Sequence, residues 1–184
     1  MSPAAAPPSP NEGVPLFQPG AIDKYFQSHH SFSYTPTSSA SVLKTFKRLA
    51  TNQGWGEDRK KQEKEKFQKA VDAEFTARVG SGFELVDWQR LAKVIGVEPL
   101  PLSITQCKKM IKKENINIYH VLHAYRRAIE VKNVEDVQAC KDIRRFKNVA
   151  ELRKYTQKHK MFYRKEYAKG SVLKGLLKYL RWRV

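Results

Sequence analysis

Cysteine is almost missing from this chain. Cys107 and Cys140 are the only two in 184 residues, too few for the disulfide framework that holds small secreted domains together. Long apolar runs are missing as well. No stretch approaches the roughly 18 residues that a membrane span requires, and no membrane partner is expected. The nine glycines fall at the ends of helical patterns and in turns. None belongs to a phosphate-cradling loop or to a Gly-x-Ser-x-Gly elbow, and no His-Glu-x-x-His pair occurs. The chain is therefore not expected to be an enzyme or to carry a cofactor. Close-paired cysteine fingers, a ribonucleoprotein motif and a basic zipper are absent too. Met1 to Gly13 has neither the apolar run of a signal peptide nor the arginines of a mitochondrial transit peptide. The nucleus is the expected compartment, with the cytoplasm as the alternative.

Acidic residues are the other deficit. Lys plus Arg number 35 against 18 Asp plus Glu, a net charge of +17. Residues 1–37 carry −1, residues 38–140 carry +6, and residues 141–184 carry +12 from 15 bases and three acids. A positive field this concentrated repels itself and attracts polyanions.

Proline gathers at the N-terminus. Pro3, Pro7, Pro8, Pro10, Pro15 and Pro19 mark residues 1–20 as a flexible tail with too little apolar surface to offset ordering. Residues 21–184 are expected to form one all-α domain, a compact bundle of six to eight helices. A short helix over Ala21 to Phe26 leads into an extended aromatic strap with Phe32 and Tyr34. The 3.6-residue period then predicts helices near Ser39–Gln53, Asp58–Val79 and Glu84–Ile95, stopped by Gly54, Gly80 and Gly96. Ser103 and Gln106 form a capping box opening the next helix, and Asn117 is the candidate N-cap of the one after. Lys132 to Arg145 reads as loop with some helix. Asn148 and Glu151 form a second capping box, for a helix burying Val149, Leu152 and Tyr155. A short helix is expected around Lys165 to Lys169. A last helix begins at Ser171 with Val172, Leu173, Leu176, Leu177 and Leu180 as its apolar stripe. The expected core includes Leu49, Phe75, Trp88, Leu91, Leu122, Leu152, Leu173 and Leu177. Glu74, Glu84 and Asp87 are read as solvated partners of neighbouring bases.

The order of these punctuation marks resembles a known pattern. Phe46-Lys47-Arg48-Leu49, Gly54-Trp55, Trp88, Cys107-Lys108-Lys109 and Asn115-Ile116-Asn117-Ile118 follow one another. Leu152 with Tyr155-Thr156, Ala168-Lys169, and Leu173 with Leu176-Leu177 complete the series. The series is similar to a family of small basic helical proteins abundant in filamentous ascomycete fungi and mostly of unassigned function. The likeness covers most of residues 25–182. It departs at Phe162-Tyr163-Arg164, where the family has Phe-Pro-Lys. The resemblance implies a fungal, intracellular protein and supplies no catalytic residues.

Two constellations carry candidate chemistry. His120 and His123 share a helix face, and with Cys107 and Cys140 they suggest a zinc set. Their spacing matches no known finger, neither cysteine has a close partner, and Cys107 falls on an apolar stripe, so no metal is expected. The basic C-terminal quarter is the stronger candidate. Arg144, Arg145, Lys154, Lys158, Lys165, Lys169, Lys174, Lys178, Arg181 and Arg183 are the expected contacts to nucleic acid, DNA or RNA. Lys174, Lys178 and Arg181 recur at helical spacing opposite the leucine stripe, as a cationic ridge. Phe146, Tyr155, Phe162, Tyr163, Tyr167, Tyr179 and Trp182 interleave and offer rings for base stacking. The expected function is nucleic-acid binding through phosphates. The alternative is a non-enzymatic interaction module for an acidic protein.

Overall fold

A computed structural model describes residues 19–36, 41–130, 143–163, 166 and 172–177, and the side chains within these ranges apart from residues 127–130. Among the described residues the fold is all-α. Eight helices occur in order: α1 (Ala21–Gln27), α2 (Val42–Asn52), α3 (Glu57–Val79), α4 (Leu85–Val94), α5 (Ile104–Lys113), α6 (Ile118–Glu130), α7 (Val149–His159) and α8 (Leu173–Leu176). No strand is present among them. The one β-type contact is an isolated antiparallel bridge between Ile116 and Arg145. None of these helices is long and apolar enough to cross a membrane.

Each helix follows its apolar period. Phe67, Val71, Phe75 and Val79 recur every four residues on α3 and are all buried. Trp88, Leu91, Ala92 and Ile95 do the same for α4, as do Cys107 and Ile111 for α5 and Val121, Leu122 and Tyr125 for α6. These faces meet as α1 packs on α2 and α3, α4 on α3, α5 and α6, and α8 on α5. The strap is where the sequence places it. Phe32 is buried, and the Tyr34 ring lies 4.8 Å from that of Phe26.

The caps explain the helix boundaries. Ser103 Oγ accepts from Gln106 N at 3.3 Å, and Gln106 Oε1 reaches back to Leu102 N. Asn148 Oδ1 accepts from Glu151 N at 2.9 Å, and Glu151 Oε2 returns to Lys147 N. At the end of α2, Gly54 adopts φ +59°, which lets Trp55 N bond Ala50 O and Gly54 N bond Thr51 O. This closure leaves the Trp55 side chain beside His29 and Phe46.

Several expectations are corrected. Glu74 and Asp87 are buried, not solvated. Glu74 Oε2 accepts from Ile22 N at the start of α1, and its Oε1 meets Arg126 and Arg78. Asp87 Oδ2 accepts from Gly82 N. A carboxylate facing an orphan backbone N–H or a guanidinium gains more there than in water beside a flexible lysine. Glu63 is buried as well, between Arg59 and Lys66. Val149 is exposed and Tyr155 only half-buried, because α7 turns Leu152 and Thr156 inward instead. Leu177 is half-buried. The last helix is far shorter than its leucine stripe implies. Gly175 sits inside it against Trp88, where an added Cβ would come 2.8 Å from the ring. Glycine there permits the close approach and weakens the helix. Lys174 therefore does not begin a continuous ridge within α8, which ends at Leu176. Lys178, Leu180 and Arg181 lie outside the described residues, as do most of residues 165–169 and all of residues 131–142.

Candidate functional site

The basic side chains are organised by how α7 is held. Asn117 caps α6 by accepting from Tyr119 N at 3.0 Å. Its amide nitrogen then donates to Thr156 Oγ1 at 3.1 Å and to Met161 O at 3.2 Å. One residue thereby fixes the C-terminal end of α7 against the start of α6. Across the same seam, His120 Nε2 and Tyr155 OH are 3.1 Å apart. The Arg144 guanidinium stacks 4.6 Å from the Tyr155 ring centre and 5.2 Å from that of Phe146. Burial is the main influence holding the His120 imidazole below its ordinary range, with the Arg144 and His159 charges acting the same way.

Between this seam and the α2–α3 turn lies a cleft of about 1220 Å³. Its lining holds six lysines, Lys44, Lys47, Lys60, Lys64, Lys158 and Lys160, and three histidines, His120, His123 and His159. None of the described residues that line it is acidic. All six lysines are exposed. Four of them come in pairs that helical spacing sets side by side: Lys44 with Lys47 on α2, and Lys60 with Lys64 on α3. Phe46, Trp55, Tyr155 and Met161 supply the apolar part of the wall.

Lys160 has an unusual backbone. It follows α7 at φ 53°, the left-handed position that glycine ordinarily takes at a helix end. Its N–H bonds Gln157 O, and Met161 N bonds Thr156 O. A lysine thus occupies a position strained by about 1 kcal/mol or more for a residue with a Cβ, at the rim of a cationic cleft.

The residues expected to contact nucleic acid are dispersed. Lys158 lines the cleft and Lys154 lies one turn earlier, exposed on α7. Arg144 stacks on the Tyr155 wall. Arg145 is engaged by the fold. Its Nε is 3.3 Å from Glu114 Oε2, and its Nη2 donates to Ile95 O. Lys174 is exposed on α8, which packs on α5 and contributes nothing to the cleft. Lys165, Lys169, Lys178, Arg181 and Arg183 lie outside the described residues. Lys44, Lys47, Lys60 and Lys64 were not among the expected contacts. They sit in a stretch diluted by acids, and only the helical pairing of each set hints at a basic face.

The zinc candidates do not converge. Cys107 Sγ is buried, 3.9 Å from Pro101 O. His120 is engaged with Tyr155, and Cys140 lies outside the described residues. Among the described residues no group of three or more His, Cys, Asp or Glu is arranged to hold a metal. No family model matches the chain, and no curated protein or solved structure does either. Function is read from the site itself.

Proposed function

We propose that the protein is a non-enzymatic nucleic-acid-binding protein that holds phosphates in the cleft between the α2–α3 turn and the α6–α7 seam. The observation that carries this reading is a concave surface lined by six lysines and three histidines, with no carboxylate among the described lining residues. Glu57, beside the lining, pairs with Lys60 at 3.2 Å, and the positive surplus of the lining attracts polyanions. Concave walls with low-dielectric sides also focus the field into the cleft. Exposed lysines act as point charges and read no base, so this reading implies affinity without strong sequence preference. Arg144 and Lys154 extend the basic surface along the α7 side. DNA and RNA offer the same phosphates, and the nucleus is the compartment in which such binding belongs.

The test is a charge reversal at the cleft matched by one elsewhere. Replacing Lys44, Lys47 and Lys158 with Glu should weaken binding of a labelled oligonucleotide at least roughly tenfold. Replacing Lys109, Lys113 and Lys174, which are exposed outside the cleft, makes the same change in net charge and should cost much less. Equal losses would show that only total charge matters and would refute a localised site. Unchanged nucleic-acid binding in both, with loss of an acidic protein partner in the first, would support the interaction-module alternative.

A further inference from the structure

We infer that the cleft takes single-stranded nucleic acid in preference to duplex, with bases stacked on Trp55 and Tyr155 while the lysines hold the backbone. This rests on the phosphate-binding reading above and narrows it.

Shape is the first argument. The cleft is a concavity of about 1220 Å³, of the order of a small-ligand site. A duplex keeps its bases paired and stacked inside and offers such a concavity only its backbone and groove edges. A single strand offers its bases as well.

The second argument is the composition of the walls. A site built only for duplex phosphates needs cations on a convex or flat face, because the bases are already stacked on one another. Here the cations share the lining with rings. Trp55 is half-buried, its indole packed 6.0 Å from the Phe46 ring and 5.4 Å from the His29 ring. Tyr155 is half-buried between His159, at 4.3 Å, and Phe146, at 4.9 Å. Both rings are thus held by neighbours while remaining part of the cleft lining; Arg144 already lies over Tyr155 at 4.6 Å, so a base stacked there displaces or shares that guanidinium. Aromatic platforms beside a positively charged groove are the physical requirement for binding single strands irrespective of sequence.

The two rings also come from different elements of the fold. Trp55 belongs to the α2–α3 turn, with Lys47 and Lys60 lining the same side. Tyr155 belongs to α7, with Lys158 and Lys160. A strand lying in the cleft meets a ring and lysines from each of these elements.

The experiment uses the full chain and compares five probes at one salt concentration. These are oligomers of about 12 deoxythymidines or uridines, a duplex of the same length, inorganic polyphosphate and polyglutamate. Single strands should bind at least roughly tenfold tighter than the duplex and should quench tryptophan emission, whereas polyphosphate should bind without that quenching. Trp55→Leu should remove the quenching and weaken single-strand binding by roughly tenfold to a hundredfold, a larger loss than for duplex or polyphosphate. Tyr155→Leu should act in the same direction, and circular dichroism checks that each variant is folded. If either is not, the single-strand to duplex ratio and the quenching in the unaltered protein decide alone. Equal affinity for single strand and duplex, or no quenching, overturns this inference while leaving the phosphate reading intact. Binding of polyglutamate with none of the nucleic acids overturns both. Uridine and deoxythymidine oligomers binding alike would support recognition through stacking and phosphate. A large preference for one of them would overturn it in favour of a sugar-reading site.

Discussion

Arg126 Nη2 lies 2.7 Å from Asp23 Oδ1, a contact that joins α6 to α1 across 103 positions of the chain. The other arm of the same guanidinium reaches Glu74 Oε1 on α3 at 2.7 Å. Tyr34 OH donates to Asp23 Oδ1 at 2.5 Å and so ties the strap into the cluster. Arg126, Asp23 and Glu74 are all buried. The N-terminal helix and strap are therefore fastened to the core by ion pairs as well as by Ile22, Phe26 and Phe32.

This cluster gives the first prediction. Arg126→Met leaves buried Asp23 without its counter-charge and buried Glu74 with Arg78 alone. Breaking a buried pair in this way should destabilise the protein by about 3–5 kcal/mol. Adding Asp23→Asn and Glu74→Gln should recover a large part of that loss, because neutral amides need no counter-ion. Denaturant unfolding of the series measures both effects. A single variant within about 1 kcal/mol of the unaltered protein would mean the cluster is solvated.

Lys160 supports a second prediction, in which stability and binding move in opposite directions. Lys160→Gly removes a Cβ from a left-handed position and should stabilise the fold by about 1 kcal/mol. For a chain of this size that raises Tm by roughly 2–4 °C. The same change removes one cleft cation and should weaken oligonucleotide binding. Calorimetry and a binding titration on one preparation decide it. A fall in both quantities would show that the lysine side chain supports the fold.

The third prediction concerns pH. Burial holds both His29 and His120 below the ordinary histidine value of 6.5. The unfolded chain then binds more protons than the folded one between the folded values and 6.5. Stability contributed by the neutral imidazoles is present above the unfolded value and is lost as pH falls through the folded values. Glu63 adds a later loss. Burial opposes its charge, yet Lys66 and Arg59 outweigh burial and hold its carboxyl below the usual range. The unfolding midpoint should therefore fall first below about pH 6.5 and again in the carboxylate range. His29→Gln with His120→Gln should flatten the first step. A midpoint that rises through the histidine range would contradict this.

Much of the fold is legible in the sequence. Phe67, Val71, Phe75 and Val79 announce the inward face of α3, and Ser103, Asn148 and Gly54 announce the ends of their helices, because caps and periods are local. What the sequence hides is tertiary. Glu74 and Asp87 look like any surface acid until the backbone N–H groups of Ile22 and Gly82 arrive beside them. Leu176 and Leu177 continue a convincing stripe, and nothing local shows that Trp88 will sit on Gly175. The cleft is hidden for the same reason. Lys158 stands in the conspicuously basic C-terminal quarter, whereas Lys44 and Lys60 belong to a stretch that also holds 13 acids. Only the docking of α7 by Asn117 and the turn at Gly54 bring the two sets to one surface.

The central claim is that several cleft lysines neutralise phosphates together, and the salt dependence of binding tests it most directly. Each phosphate neutralised on a single strand contributes a slope of about −0.7 in log affinity against log salt. Engagement of four to six phosphates predicts a slope of about −3 to −4, a loss of roughly fiftyfold to three-hundredfold between about 50 and 200 mM salt. In the Lys44, Lys47 and Lys158 charge-reversal variant the slope should become shallower by about 2. A wild-type slope no steeper than about −1, or a variant slope unchanged from it, would contradict the account.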